Sequence, residues 1–316
     1  FKQKTAYEIR NCDWSSDVCS SDLTVKPTPL QTVGIAANMS KPECRARVMQ
    51  LEKQLRDHGA TVLLDQEAAA VAGRAGEARL LAEIGKRAQL VIVLGGDGTI
   101  LRTVRELDGA ETPVFGVNVG NLGFLTSVRC EDMHEAVEML FRGEYSVSER
   151  HTLEASLIRA GQRIESHRAL NDAVLSRSAF SRIVRLRLEL DGELLTEYVC
   201  DGMIFATATG STAYSLSAGG PILLPETRAF VMTPICPHAL SNRPIIAGRN
   251  SVARCVVANA AGELLLTVDG QVQLRLQVGD TVEVKRSGKV VRLLTPKGLS
   301  YFDVLRQKLK WSGSNV

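Results

Sequence analysis

The chain has 316 residues, 45% of them hydrophobic and 23% charged, an ordinary globular composition with room for one large domain or two smaller ones. Its 38 basic and 35 acidic residues leave a formal charge of +3, too even for the broad basic footprint of a nucleic-acid binder, so any phosphate chemistry has to be local. No apolar stretch reaches the roughly 18–20 residues of a spanning helix and no signal pattern opens the chain, so the expectation is a soluble, cytoplasmic protein.

The seven cysteines are scattered, with no C-x-x-C pair, and read as reduced thiols. Residues 1–23 begin without Met and carry neither helical nor strand periodicity. They resemble translated cloning-adapter sequence and are expected to be an appended or disordered tail outside the fold.

From Gln31, QTVGIAA reads as a buried strand, and Ser40 with Pro42 supplies a cap and first-turn proline for a helix running to His58. Ala60–Asp65 is a second strand, the Ala-, Glu- and Arg-rich stretch to Arg87 is expected to be helical, and Gln89–Leu94 (QLVIVL) is a continuous apolar strand. This alternation predicts a Rossmann-like parallel α/β domain over 30–125, whose ligands gather at the carboxyl ends of its strands. A Gly- and Asn-rich loop, Gly116–Phe124, and a helix over Glu131–Phe141 follow. From Ser146 onward β-like runs separated by Gly, Asn and Asp turns dominate, with DG turns at Asp191-Gly192 and Asp269-Gly270. They predict a mostly β domain over 126–295. A closing amphipathic helix within 296–312, with Phe302, Leu305 and Leu309 on one stripe, is expected to pack back on the first domain.

Three features carry chemistry. Gly95-Gly96-Asp97-Gly98-Thr99 follows an apolar strand and precedes a helix expected near Ile100. Glycines let the backbone approach a phosphate, and a helix start offers free N–H groups to an anion. Asp97 would repel phosphate directly, so it either caps the helix, holds a divalent cation, or accepts a proton from an attacking hydroxyl. The loop lacks the Lys-Ser/Thr of a Walker motif. Second, Asp201-Gly202, Thr209–Ser215 and Ser217–Pro221 gather small hydroxyls and glycines around Tyr214, a composition suited to a nucleoside or to a capped Ser/Gly loop. Third, Asn171-Asp172 opens a strand, where the pair is either a turn or a base- and ribose-binding couple. The five histidines form no i,i+4 pair, and none is assigned catalysis.

These features in this order, with GVNVGNLGFL between the first and second, resemble the NAD kinase family from about residue 32 to the end of the chain. The GGDG loop alone also occurs in lipid kinases and, as GGDGS, in phosphofructokinases. The run Asp201–Ile222 (DGMIFATATGSTAYSLSAGGPI), together with Thr233–Ile245 and VDGQ at Val268–Gln271, is far more specific. The resemblance implies an α/β first domain, a β-sandwich-like second domain and an active site between them, completed by a homodimer or homotetramer. It also implies Mg²⁺ or another divalent ion, ATP as donor, and NAD as the acceptor phosphorylated on its adenosine 2′-hydroxyl. It makes Asp97 the catalytic base and places Gly98, Arg102, Asn171, Asp172, Arg182, Asp201, Thr212, Ala213, Tyr214, Ser215, Ser217 and Gln271 in the NAD site. Arg182 equally fits the solvent side of a strand, and Val199 stands where some relatives carry a polar or basic residue. A GGDG-type lipid kinase and a non-catalytic NAD sensor are the alternatives.

Overall fold

Apolar runs without polar alternation build the centre of the first domain. In the computed structural model, which describes residues 30–38, 44–120, 123–178, 183–260 and 262–311, the strands β1 (Thr32–Ala37), β2 (Thr61–Leu64), β3 (Leu90–Gly95) and β4 (Val114–Asn118) are all parallel, in the order β4-β3-β1-β2. The expected tail, the Ser40–Pro42 helix start and Arg182 lie outside the described residues.

Every residue of β3 is buried because helices cover both faces. Leu90, Ile92 and Leu94 pack against α1 (Cys44–Asp57), α2 (Gln66–Val71) and α5 (Met133–Arg142). Val91 and Val93 pack against α3 (Leu81–Arg87) and α4 (Asp97–Glu106). The single helix expected up to Arg87 is instead two. Gly73, at φ 76°, stops α2 in the left-handed region, and a 3₁₀ turn at Ala75–Glu77 separates it from α3. The short strand β5 (Val128–Arg129) pairs with the end of β4.

The second domain is a sandwich. One layer holds β6 (Tyr145–Arg159), β7 (Gln162–Ala169), β9 (Val184–Leu190), β10 (Glu193–Cys200), β14 (Val252–Asn259) and β17 (Thr281–Pro296). The other is an antiparallel sheet in the order β13-β12-β11-β8-β15-β16. Its strands are β8 (Asp172–Arg177), β11 (Gly202–Thr207), β12 (Ala229–Ile235), β13 (Ile245–Gly248), β15 (Leu264–Val268) and β16 (Val272–Leu276). Leu153, Leu186 and Val284 from the first layer meet Leu175, Phe205 and Phe230 from the second in one core. Both expected DG turns are present, with positive φ at both residues of each.

β17 runs on past Ser287 and Gly288 to Pro296. Its first half pairs with β14, while Leu293 and Leu294 pair in parallel with Val114 and Phe115 of β4. One sheet therefore runs through both domains, and β17 welds them without a linker. The closing helix is α7 (Tyr301–Leu309), and its expected stripe needs correction. Val304 and Leu305 are buried, whereas Phe302 is 52% exposed, because the helix rests on the 301/304/305 side. Tyr301 at its start lies in the electrostatic reach of Arg150 and Glu226. Among the described residues no helix is long and apolar enough to cross a membrane.

Candidate active site

The glycine-rich loop sits where the parallel sheet predicts, at the carboxyl end of β3. The helix starts three residues earlier than expected, so Gly96 is the N-cap and Asp97 opens the first turn of α4. Intrahelical bonding begins with Thr99 N and Ile100 N donating to Gly96 O, which leaves the earlier amides outside that ladder and directed at an incoming anion. Thr99 folds back over Gly95 so closely that a Cβ at Gly95 would overlap its side chain.

Asp97 neither caps the helix nor stands bare. Its Oδ2 accepts from Phe124 N at 2.8 Å, and its Oδ1 from Leu125 N at 3.1 Å and Thr126 N at 3.3 Å. The loop after β4 thus wraps the carboxylate, held in place by Thr126, whose hydroxyl accepts from Gly123 N and Asn118 Nδ2. A Cβ on Gly123 would overlap the Asp97 carboxylate, which explains a glycine there. Three of the four lone-pair positions of the carboxylate are filled, and one on Oδ2 remains for a further donor.

Across the domain boundary lies the Asn171-Asp172 turn, which is folded by a residue that sequence reasoning treated only as part of a hairpin turn. Asp269, in the β15–β16 turn, accepts from the amides of Leu170 (2.8 Å), Asn171 (2.7 Å) and Asp172 (3.0 Å). Burial pushes its pKa up, and those three hydrogen bonds work against the rise. Asp172 is 6% exposed. Burial first, and the Asp269 carboxylate second, push its pKa up to about 7. The DG dipeptide gave a signal for the turn, but nothing local told that its carboxylate would fold a segment about a hundred positions away.

Two residues on from Asp269, Gln271 donates from Nε2 to Gly98 O at 2.9 Å and accepts from Arg105 Nη1 at 2.7 Å. One hairpin turn therefore grips the acceptor-side turn with Asp269 and the glycine loop with Gln271. The third feature completes the rim. Gly210 lies against Asn171 so tightly that a Cβ would overlap the Asn171 backbone, and this contact brings Ala213 and Tyr214 beside Asn171 and Asp172. The resulting groove, of about 320 Å³, runs along β8 from Asp172 past Val174 to Ser176 and takes in Thr267 of the neighbouring β15 and Gly270 of the turn after it. Tyr214, in the short helix α6 (Tyr214–Ser217), is 45% exposed and offers its ring to a ligand.

Not every expected residue joins this groove. Ser215 is fully buried and its hydroxyl bonds Thr233 Oγ1 at 2.9 Å, while Ser217 faces solvent. Thr212 spends its hydroxyl on Thr209 O. Arg102 binds Asp65 (3.0 Å), Glu67 (2.7 Å) and Ala37 O (2.7 Å), so its charge is matched within the first domain. Asp201 pairs with Arg177 at 2.6 Å. Because Gly202 lies opposite Ser176 and Ala206 opposite Asp172, Asp201 stands beyond the far end of the groove, more than about 13 Å from Asp172 along the strand. Among the described residues no group of three or more His, Cys, Asp or Glu gathers as a metal cage.

An aspartate held in a glycine loop at a helix start, tied through Gln271 to a hairpin that borders a groove with buried carboxylates and an exposed tyrosine, fits a small-molecule phosphotransferase of the GGDG class. The family models for the ATP-NAD kinase N-terminal and C-terminal domains match residues 33–145 and 170–295. The chain belongs to the NAD kinase family. It is 39% identical over 282 residues to the NAD kinase of Geotalea daltonii, covering 89% of this chain and 99% of that one. It is 41% identical over 284 residues to the NAD kinase of Koribacter versatilis, with the same coverage. Among solved structures, a yeast NADH kinase complexed with NADH superposes with a TM-score of 0.83 at 29% identity, covering 92% of this chain and 90% of that one. An NAD kinase from Archaeoglobus fulgidus in complex with ATP shares the fold, with a TM-score of 0.71 at 23% identity over 90% of this chain and all of that one.

Proposed function

We infer that this chain is an ATP-dependent NAD kinase, transferring the γ-phosphoryl group of ATP to the 2′-hydroxyl of the adenosine ribose of NAD. The observation that carries the reading is the single turn at Asp269–Gln271, which holds a phosphate loop and a nucleoside-sized groove in register. The first-turn amides of α4 receive donor phosphate, and Asn171, Asp172, Ala213 and Tyr214 hold the adenosine. Asp97 Oδ2, with one acceptor position left, takes the proton of the attacking hydroxyl as the O–P bond forms and the bond to the ADP oxygen breaks. With two acceptor-side turns held by backbone contacts, positioning supplies most of the rate.

Among the described residues no metal cage is built. A divalent ion, when bound, would come as the counter-ion of the ATP phosphates and would offset their charge. Arg102 is proposed to act on dinucleotide phosphates by exchanging its partners Asp65 and Glu67 for them, and Arg182 is proposed as a further phosphate contact. The place of Asp201, beyond the groove, supports a homo-oligomer in which a second copy brings that aspartate to the ligand. The thiols of Cys200, Cys236 and Cys255 stand outside any disulfide, which agrees with a reducing cytoplasm.

The test compares NAD with its adenosine 2′-deoxy analogue in the presence of Mg-ATP, reading affinity by calorimetry and phosphate position by NMR. The analogue binds, weaker by about 1 to 3 kcal/mol at most, and is not phosphorylated. A 3′-phosphate on NAD, or transfer to the deoxy analogue or to a lipid acceptor run alongside, refutes the assignment.

A further inference from the structure

The sandwich has a second polar centre that the reaction does not use. Its inner faces end, at one rim, in cations rather than in the usual mixed charges. On β6, His151 lies on the same side as the core residues Leu153 and Ala155, and on β17 Arg286 lies on the same side as Val282 and Val284. A register shift between Arg286 and Val290 brings the two together, with Arg286 Nη1 3.4 Å from His151 Nδ1. From the opposite sheet, Ala229 of β12 pairs with Gly248 of β13. Arg228 and Arg249 therefore face each other one step beyond that pair, on the side of the core residues Phe230 and Ala247.

The three guanidinium groups and the imidazole feel one another. Burial, then the charges of Arg286, Arg228 and Arg249, hold the His151 imidazole below its usual range, with Glu149 alone opposing. Burial and the charges of Arg249 and Arg228 act the same way on Arg286. Beside them, Arg150 is buried on the other face of β6, bonded through Nε to Ser148 and in reach of Glu226 and Tyr301. None of Arg228, Arg249 and Arg286 forms an ion pair among the described residues. Elsewhere on the same sheet the chain matches its cations, as in Arg254–Glu283, Lys285–Glu154 and Arg185–Glu197. Glu149, the acid that acts on His151, is turned to Arg292 at 3.7 Å. Like charges set across from one another destabilise a sheet, and packing does not call for them here.

We propose that Arg228, Arg249, Arg286 and His151 form a binding site for a small, multiply charged oxyanion, of phosphate or carboxylate type, separate from the catalytic groove. Guanidinium groups from two sheets converging on one mouth suit bidentate contacts to such oxygens. The site stands apart from the donor loop. His151 and Val290 lie below the point where β17 meets the amino end of β4 at Val114, whereas Gly95 of the loop pairs with Asn118 at the carboxyl end.

The experiment titrates the full chain with inorganic triphosphate by calorimetry in low salt, with NAD and a non-hydrolysable ATP analogue saturating the active site. A parallel arm uses a tricarboxylate, so that the tighter arm identifies the acidic group preferred. The variant is Arg249→Ser combined with Arg286→Ser. Wild type is expected to take up one anion per chain, and the variant to bind it roughly 10²-fold more weakly, with kcat in anion-free buffer unchanged. Melting supplies a readout that a misfolded variant does not mimic. In anion-free buffer the variant melts at or above the wild-type temperature, because repulsion is relieved, and it loses the rise that triphosphate gives wild type. Equal binding by the two proteins, or no uptake by wild type, overturns the proposal. So does a change of oligomeric mass in the variant without anion uptake by wild type, which would assign the rim to a second copy of the chain.

Discussion

Replacing Asp97 with Asn separates the two jobs that its carboxylate does at once. The structural job is to accept the amides of Phe124, Leu125 and Thr126. An Asn side chain can keep its carbonyl oxygen toward Leu125 and Thr126, but its NH₂ then faces the Phe124 N–H, donor against donor. Losing that bond, and the charge that strengthens the other two, costs about 1.5 to 3 kcal/mol, which lowers the melting temperature by several degrees. The chemical job is to take the hydroxyl proton. Its loss lowers kcat by roughly 10²- to 10⁴-fold, or about 2.7 to 5.5 kcal/mol in the barrier, with NAD affinity nearly intact. Thr126→Val provides the control, since it releases Gly123 N and Asn118 Nδ2 and loosens the same loop without touching the carboxylate. Melting curves, NAD calorimetry and steady-state kinetics are measured on all three proteins. If Thr126→Val, at matched destabilisation, loses as much kcat as Asp97→Asn, the carboxylate is a loop anchor alone and the base assignment is wrong.

Gly123→Ala drives a methyl group into the Asp97 carboxylate and is expected to cost roughly 1 to 3 kcal/mol of stability together with most of kcat; wild-type turnover from this variant would mean that the loop reshapes freely. Gln271→Ala cuts the strap to Gly98 and Arg105, and kcat/KM should fall by about tenfold with stability changed by only about 1 kcal/mol. A cycle with Arg105→Ala should show coupling between the two residues, and strict additivity would discount the strap. Asp172→Asn tests the buried carboxylate. A native pKa of about 7 against an ordinary aspartate value of 3.8 means that the unfolded chain releases this proton first, so wild-type stability drains away as pH rises from about 4 to 7. The penalty above pH 7 is roughly 4 kcal/mol. The Asn variant should therefore match wild type near pH 4 and melt higher at pH 8, and a variant that melts lower at pH 8 contradicts the burial argument.

Local pattern alone disclosed a good part of this protein. Continuous apolar runs placed β1 and β3, because a parallel strand buried on both faces has no polar positions to hide. GGDGT announced its turn because only glycine tolerates that approach, and both DG dipeptides announced hairpins because both central residues need positive φ. Of the residues expected in the site, Asn171, Asp172, Ala213 and Tyr214 line one groove. Composition could not tell which hydroxyls face a ligand. Ser215 and Thr212 have the same chemistry as a ligand contact, yet their bonds go to Thr233 and Thr209, since a short helix turns each successive side chain about 100° away from the last. What only the tertiary structure decided are the contacts that join distant segments. These include the return of β17 to β4, the Asp269 carboxylate on the Leu170–Asp172 amides, the Gln271 hydrogen bond to a carbonyl 173 positions earlier, and the cationic rim made from both sheets. Each depends on strand register and on chain closure over long separations. Periodicity is blind to both, because it reports which face of an element is buried and not what lies against it.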